Sequence, residues 1–144
     1  MTGFVLDAKL EADTIDVTAL PLCVVRLMND RRFPWVILVP ARPGATEIVD
    51  LEAADRARLM EEIALVSGVM RDLFSPTKLN VAALGNVVAQ LHVHIIARRH
   101  DDAAWPKPVW GVKPPLAYND SQQASLLGAL RQSLKANGLS NMDH

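Results

Sequence analysis

One seven-residue run constrains this chain more than any other: Gln90-Leu91-His92-Val93-His94-Ile95-Ile96. In an extended strand, successive side chains point to opposite faces. Gln90, His92, His94 and Ile96 then share one face, and Leu91, Val93 and Ile95 share the other. The apolar set is predicted to face the core. A core has little use for two adjacent imidazoles, since each unsatisfied buried polar group costs about 1–3 kcal/mol. The polar face is therefore predicted to be the wall of a cleft.

Three chemistries fit a His-x-His pair on one face. The two rings can simply make structural hydrogen bonds. They can share a zinc ion, which needs a third and usually a fourth ligand; His100 and the Asp101-Asp102 pair are the nearby candidates. Or one imidazole can attack phosphorus as a nucleophile while the other holds or protonates the phosphate region.

The rest of the chain supplies a frame for that strand. Leu22 to Met28 and Trp35 to Pro40 read as two strands, rich in β-branched residues and joined by the polar link Asn29 to Pro34. Phe4 to Ala19 is mixed and is expected to wrap the outside. A long helix is predicted from Glu52 to Phe74, with Leu59, Ile63, Val66, Met70 and Leu73 on one face. Asp50 is its expected cap, and Ser75-Pro76 stops it. Leu79 to Leu84 reads as a third strand and Leu91 to Ala97 as the fourth. Asp101 to Pro115 is a loop rich in Trp and Pro. Asn119-Asp120-Ser121 can cap a last helix that carries Leu126, Leu127, Leu130 and Leu134 on one face. Neighbouring strands, with helices between or after them, favour an α+β fold with a mainly antiparallel sheet.

Bulk properties exclude several classes. The 144 residues suit a single domain, 1–144, and half are hydrophobic, so a proper core is expected. The net charge of −1 offers no basic surface for nucleic acid and no acidic tail. No apolar run approaches the ~20 residues that span a bilayer, so no membrane partner is expected. Met1-Thr2-Gly3-Phe4 lacks the regions of a signal peptide. Cys23 is the only cysteine and lies in an apolar run. It reads as a small buried hydrophobe, and a cytoplasmic location is expected.

The motif strand resembles that of the histidine triad family, His-φ-His-φ-His-φ-φ with φ apolar, and matches it everywhere except at Gln90. Gly85 in a short turn five residues upstream, and Ile37-Leu38-Val39-Pro40-Ala41-Arg42-Pro43 followed by Asp50-Leu51, extend the likeness to the Fhit and Hint branches over Leu22 to Arg99. The tail Trp105-Pro106…Val109-Trp110-Gly111 is similar to that of a bacterial subgroup. The resemblance implies a histidine-triad-like sheet of about five strands, with a long helix after the second core strand, a core at about 22–99, and a C-terminal loop and helix at 101–137.

It also implies a nucleotide hydrolase or nucleotidyl transferase acting on an α-phosphate. Its substrate would be a dinucleoside polyphosphate, a nucleoside polyphosphate or a phosphoramidate. His92 is then the nucleophile, passing through a covalent nucleotidyl-histidine. His94 holds the phosphate and helps protonate the leaving group. Gly85, Asn86 and Val87 offer backbone N–H groups to phosphate. Asn80 joins the phosphate site, and Asn29 lies near the ribose. The chemistry needs no metal or other cofactor, and the family implies a homodimer.

Two positions depart from the pattern. Gln90 replaces the first histidine of the catalytic strand, and Trp35 replaces another histidine found in many members. Gln cannot titrate near neutral pH, so a proton relay through that position is lost. A catalytically weak nucleotide-binding protein is therefore the alternative, and a His-x-His metal protein the second. Arg98 and Arg99 read as a solvated strand end, with one of them attending a polyphosphate tail as the alternative. Trp105 and Trp110 are expected at a dimer interface, over the cleft, or anchoring the tail on their own subunit.

Overall fold

The computed structural model describes residues 3–142, with side chains through residue 138. Met1 and Thr2, part of the N-terminal stretch read above, lie outside the described residues. The elements run α1 (Ala8–Asp13), β1 (Thr14–Ala19), β2 (Cys23–Met28), β3 (Trp35–Pro40), a 3-10 turn (Ile48–Asp50), α2 (Ala53–Phe74), β4 (Lys78–Ala82), β5 (Val93–Arg98) and α3 (Asp120–Met142). The five strands form one antiparallel sheet in the order β1-β2-β3-β5-β4. None of the described helices is long and apolar enough to cross a membrane.

The α+β class and the long helix stand as expected, with three corrections. The N-terminal stretch does not only wrap the outside: Thr14–Ala19 is an edge strand paired with β2. The register shifts between Asp16 and Thr18, which breaks the two-residue alternation that marks a strand in sequence. Asp50 does not cap α2, whose first flanking residue is Glu52. The Asp50 carboxylate instead accepts from the backbone N–H groups of Thr46 and Glu47 and from the Thr46 hydroxyl, closing the 3-10 turn. On α2, Leu59, Val66 and Met70 are buried as predicted, but Leu73 is exposed.

The sheet is buried on both faces at its centre, where every residue of β3 and β5 is buried. On one face Val25, Leu27, Val36, Leu38, Val93 and Ile95 pack with Val66 and Met70 of α2 and Leu127, Leu130 and Leu134 of α3. The predicted inward set of the motif strand does face this core. The opposite face carries a second core instead of an open wall: Trp35, Ile37 and Ile96 pack with Leu10, Phe33, Val88 and Val109. The N-terminal segment and the Trp/Pro loop thus cover the face that bears the histidines.

Glu62, fully buried on α2, ties the helix to the sheet. Its two carboxyl oxygens accept the backbone N–H groups of Leu22 and Cys23 at 2.9 and 2.8 Å. These donors open β2 and would otherwise be buried without partners. Cys23 is free and buried, and burial followed by the nearby Glu62 pushes its thiol pKa up, so it stays protonated and unreactive.

Candidate active site

β5 begins at Val93, so Gln90 and His92 sit just before the strand and His94 lies within it. The two imidazoles are side by side, with ring centroids 4.8 Å apart and planes at 66°. His92 is 7% and His94 5% exposed.

Hydrogen bonding fixes the proton on each ring. His92 Nδ1 lies 2.7 Å from the Gln90 carbonyl oxygen. A carbonyl can only accept, so Nδ1 carries a hydrogen, and the neutral form of the ring has its lone pair on Nε2. His94 is the reverse case. The Trp35 indole N–H donates to His94 Nδ1 at 3.0 Å. Indole can only donate, so Nδ1 is the bare nitrogen and Nε2 carries the hydrogen. Neither Nε2 bonds to a described residue. A lone pair and an N–H donor therefore stand next to each other.

Burial, and then the neighbouring His92, lower the pKa of His94 from 6.5 to about 4. It is neutral at pH 7. An unfolded chain takes up this proton near pH 6.5, whereas the folded one resists until about 4. Stability is therefore complete above pH 6.5 and falls as the pH drops through that window, by roughly 3 kcal/mol at its lower end. Denaturant titrations from pH 7 to pH 4 check this, and His94→Gln is expected to flatten the slope.

The remaining expected residues divide. Gly85, at φ +77°, turns the chain beside His92 and lines a cleft of about 360 Å³ with Thr46, Glu47, Ile48, Leu84 and His92. A side chain at that φ is strained, which accounts for glycine there. Asn86 and Val87 are exposed beyond the lining of this cleft. Gln90 borders the cleft, but its amide is engaged elsewhere: Oε1 accepts the Asp7 N–H and Nε2 donates to the Val5 carbonyl. This clasp anchors the residue whose carbonyl orients His92.

Asn29 lines a second cleft of about 540 Å³ with Lys9, Arg32, Trp35, Trp110 and Lys113. Its Oδ1 accepts the Tyr118 N–H, which leaves the amide NH2 facing no described acceptor. Asn80 lies outside both clefts, its Oδ1 accepting from Arg98 Nη1 at 2.8 Å.

Arg98 corrects a further expectation. It is not a solvated strand end but is fully buried, paired with Asp102 at 2.7 Å and donating to the Lys107 carbonyl. The pair fastens the Trp/Pro loop to the end of β5. That loop brings Trp110 edge-on against both His94 and Trp35, at 5.0 and 5.8 Å between centroids. Trp110 thus packs over His94 within the same chain. In the sequence, Trp35 stands out only as a missing histidine. Its role as the donor to His94 follows from its diagonal position, since Trp35 pairs with Ile96 while His94 pairs with Ile37.

Among the described residues no three metal-binding side chains converge, and His100 sits in an exposed turn beyond β5.

Comparison with known proteins identifies the fold and the family. The HIT domain family matches residues 9–101. A histidine triad protein from Bradyrhizobium japonicum is 49% identical, covering 92% of this chain and 98% of its own, with a TM-score of 0.90. One from Marinobacter aquaeolei is 47% identical over 92% and 97%, also at 0.90. The NitFhit protein of C. elegans shares the fold alone, at 21% identity, a TM-score of 0.63, and 92% of this chain against 31% of that one. No curated protein sequence matches. On the family match, and on close relatives aligned along nearly their whole length, the chain belongs to the histidine triad family.

Proposed function

We propose that this protein is a nucleotide hydrolase or nucleotidyl transferase in which Gln90 stands at the first triad position. The observation that carries the reading is the complementary pair of nitrogens, a bare Nε2 on His92 beside an Nε2–H on His94. His92 Nε2 attacks the α-phosphorus of a nucleoside polyphosphate, dinucleoside polyphosphate or phosphoramidate. An N–P bond forms as the bond to the leaving group breaks. Water then cleaves the N–P bond, releasing the nucleoside monophosphate and restoring His92. The His94 N–H donates a hydrogen bond to the phosphate or the departing atom. Backbone N–H groups of the turn at Gly85, Asn86 and Val87 favour the phosphate oxygens. The nucleoside lies toward the cleft of Asn29 and Trp110, where an aromatic face and an amide are both on offer.

The test is a panel of such substrates with product detection. Release of nucleoside monophosphate from at least one of them is expected, and no turnover on any would remove the enzyme claim. The second reading, a nucleotide-binding protein without catalysis, draws on the burial of both rings and on the packing of Trp110 against His94. Calorimetry showing tight mononucleotide binding, together with an inert panel, selects it.

The homodimer forms through the β4 edge in this reading. β4 pairs with β5 alone, so its other side has unpaired backbone groups, and Leu73, Val81 and Leu84 are exposed around it. Light scattering is expected to give twice the chain mass for the wild type and one chain mass for Val81→Lys. A monomeric wild type sinks the proposal.

A further inference from the structure

We propose that Trp35 is a positioning residue that holds His94 as a hydrogen-bond donor unable to act as a proton-transferring acid. By this account, built on the reading above, the enzyme takes substrates whose leaving group departs as a stable anion. Phosphate and polyphosphate leaving groups qualify, whereas alkyl amines and alcohols do not, which narrows the substrates named above to the polyphosphates and removes phosphoramidates of alkyl amines.

The geometry forbids the alternatives one by one. With hydrogen on His94 Nδ1, the indole N–H 3.0 Å away would face another N–H, and the bond would be lost. That excludes both the other neutral tautomer and the imidazolium, which carries hydrogen on both nitrogens. The ring has little room to turn away. Trp110 packs edge-on against it at 5.0 Å, and Trp35 is itself held edge-on by Phe33 at 6.5 Å and Trp110 at 5.8 Å. Burial acts in the same direction, holding the pKa of His94 at about 4.

A neutral imidazole that gives up its Nε2 proton becomes an imidazolate, which is far too basic to form at neutral pH. His94 therefore stabilises negative charge by hydrogen bonding and keeps its proton. Among the described residues, the one titratable group acting on the His94 ring is His92, which bonds to phosphorus in the same step. The leaving atom then departs with the bonding electron pair and takes a proton from water afterwards. Acidic leaving groups tolerate this, and basic ones do not.

The first experiment is 15N NMR of the histidine-labelled full chain at pH 7. His94 is expected as a neutral ring with Nε2 protonated and Nδ1 bare, and Trp35→Phe is expected to release that preference. An Nδ1–H form or an imidazolium in the wild type overturns the proposal whether or not the variant folds. The second experiment measures turnover of nucleoside monophosphate aryl esters of graded phenol acidity. The wild-type rate is expected to fall roughly tenfold for each unit rise in leaving-group pKa, and Trp35→His to flatten that slope. A flat wild-type slope also overturns the proposal. If no ester turns over, the enzymatic reading fails and with it the leaving-group rule, while the spectrum decides separately whether Trp35 sets the tautomer.

Discussion

Replacing His92 with alanine is expected to abolish nucleotide turnover, lowering kcat by roughly 10³-fold or more, since removing a nucleophile eliminates a pathway instead of weakening a contact. Among the described residues, His92 is the ring at the first cleft whose Nε2 makes no hydrogen bond and whose neighbour, His94, can donate to the same phosphate. The Gln90 carbonyl sets this state, and the clasp of the Gln90 amide on Val5 and Asp7 fixes the carbonyl. His94, with its hydrogen on Nε2, has no lone pair there to take over the attack. Steady-state assays of wild type and variant check the loss, and thermal melts confirm that the variant is folded. A variant that keeps more than a tenth of the activity would contradict the assignment.

Asp102→Ala is expected to destabilise the protein by about 3–5 kcal/mol, the usual cost of stranding one member of a buried ion pair. The Arg98 side chain is 2% exposed and its partner 7%, so water cannot replace the lost carboxylate. Asp102 does more than pair. Although burial opposes ionisation, the Arg98 guanidinium and the backbone N–H groups of Ala104, Arg99 and Trp105 hold its pKa at about 2. Alanine removes these acceptors and unfastens the loop that places Trp110 over His94. Arg98→Met combined with Asp102→Asn is expected to recover part of the loss, because it removes the buried charge and keeps an acceptor for the loop. Denaturant midpoints of the three proteins measure both effects. A loss below about 1 kcal/mol in Asp102→Ala would mean that the pair behaves as an exposed one.

The parts legible in the sequence are those where one period or one motif dominates. β2, β3 and β5 are nearly continuous apolar runs, and α2 carries its buried apolar stripe from Leu59 to Met70. β1 was hidden because its bulge interrupts the alternation. Asp50 looked like a helix cap because cap chemistry and 3-10 turn chemistry use the same side chain at nearly the same place. The histidines were legible as a pair, but their proton positions were not. Those depend on a carbonyl two residues back and on an indole on the neighbouring strand. Arg98 was misread for a related reason. Two adjacent arginines suggest solvent, and only the folded loop reveals that Asp102 and the Lys107 carbonyl enclose one of them. The lack of a histidine at position 35 is plain in the sequence, whereas the hydrogen bond from the Trp35 indole to His94 depends on how two strands pair.

The central claim is that His92 bonds covalently to phosphorus. The direct measurement is the mass of the intact protein, rapidly quenched during turnover into alkaline denaturant, where N–P bonds survive. The account predicts a fraction heavier by one nucleotidyl group, mapped by peptide analysis to His92 and absent from His92→Ala. Nucleoside monophosphate released at an undiminished rate by His92→Ala, with no such adduct on the wild type, would contradict it.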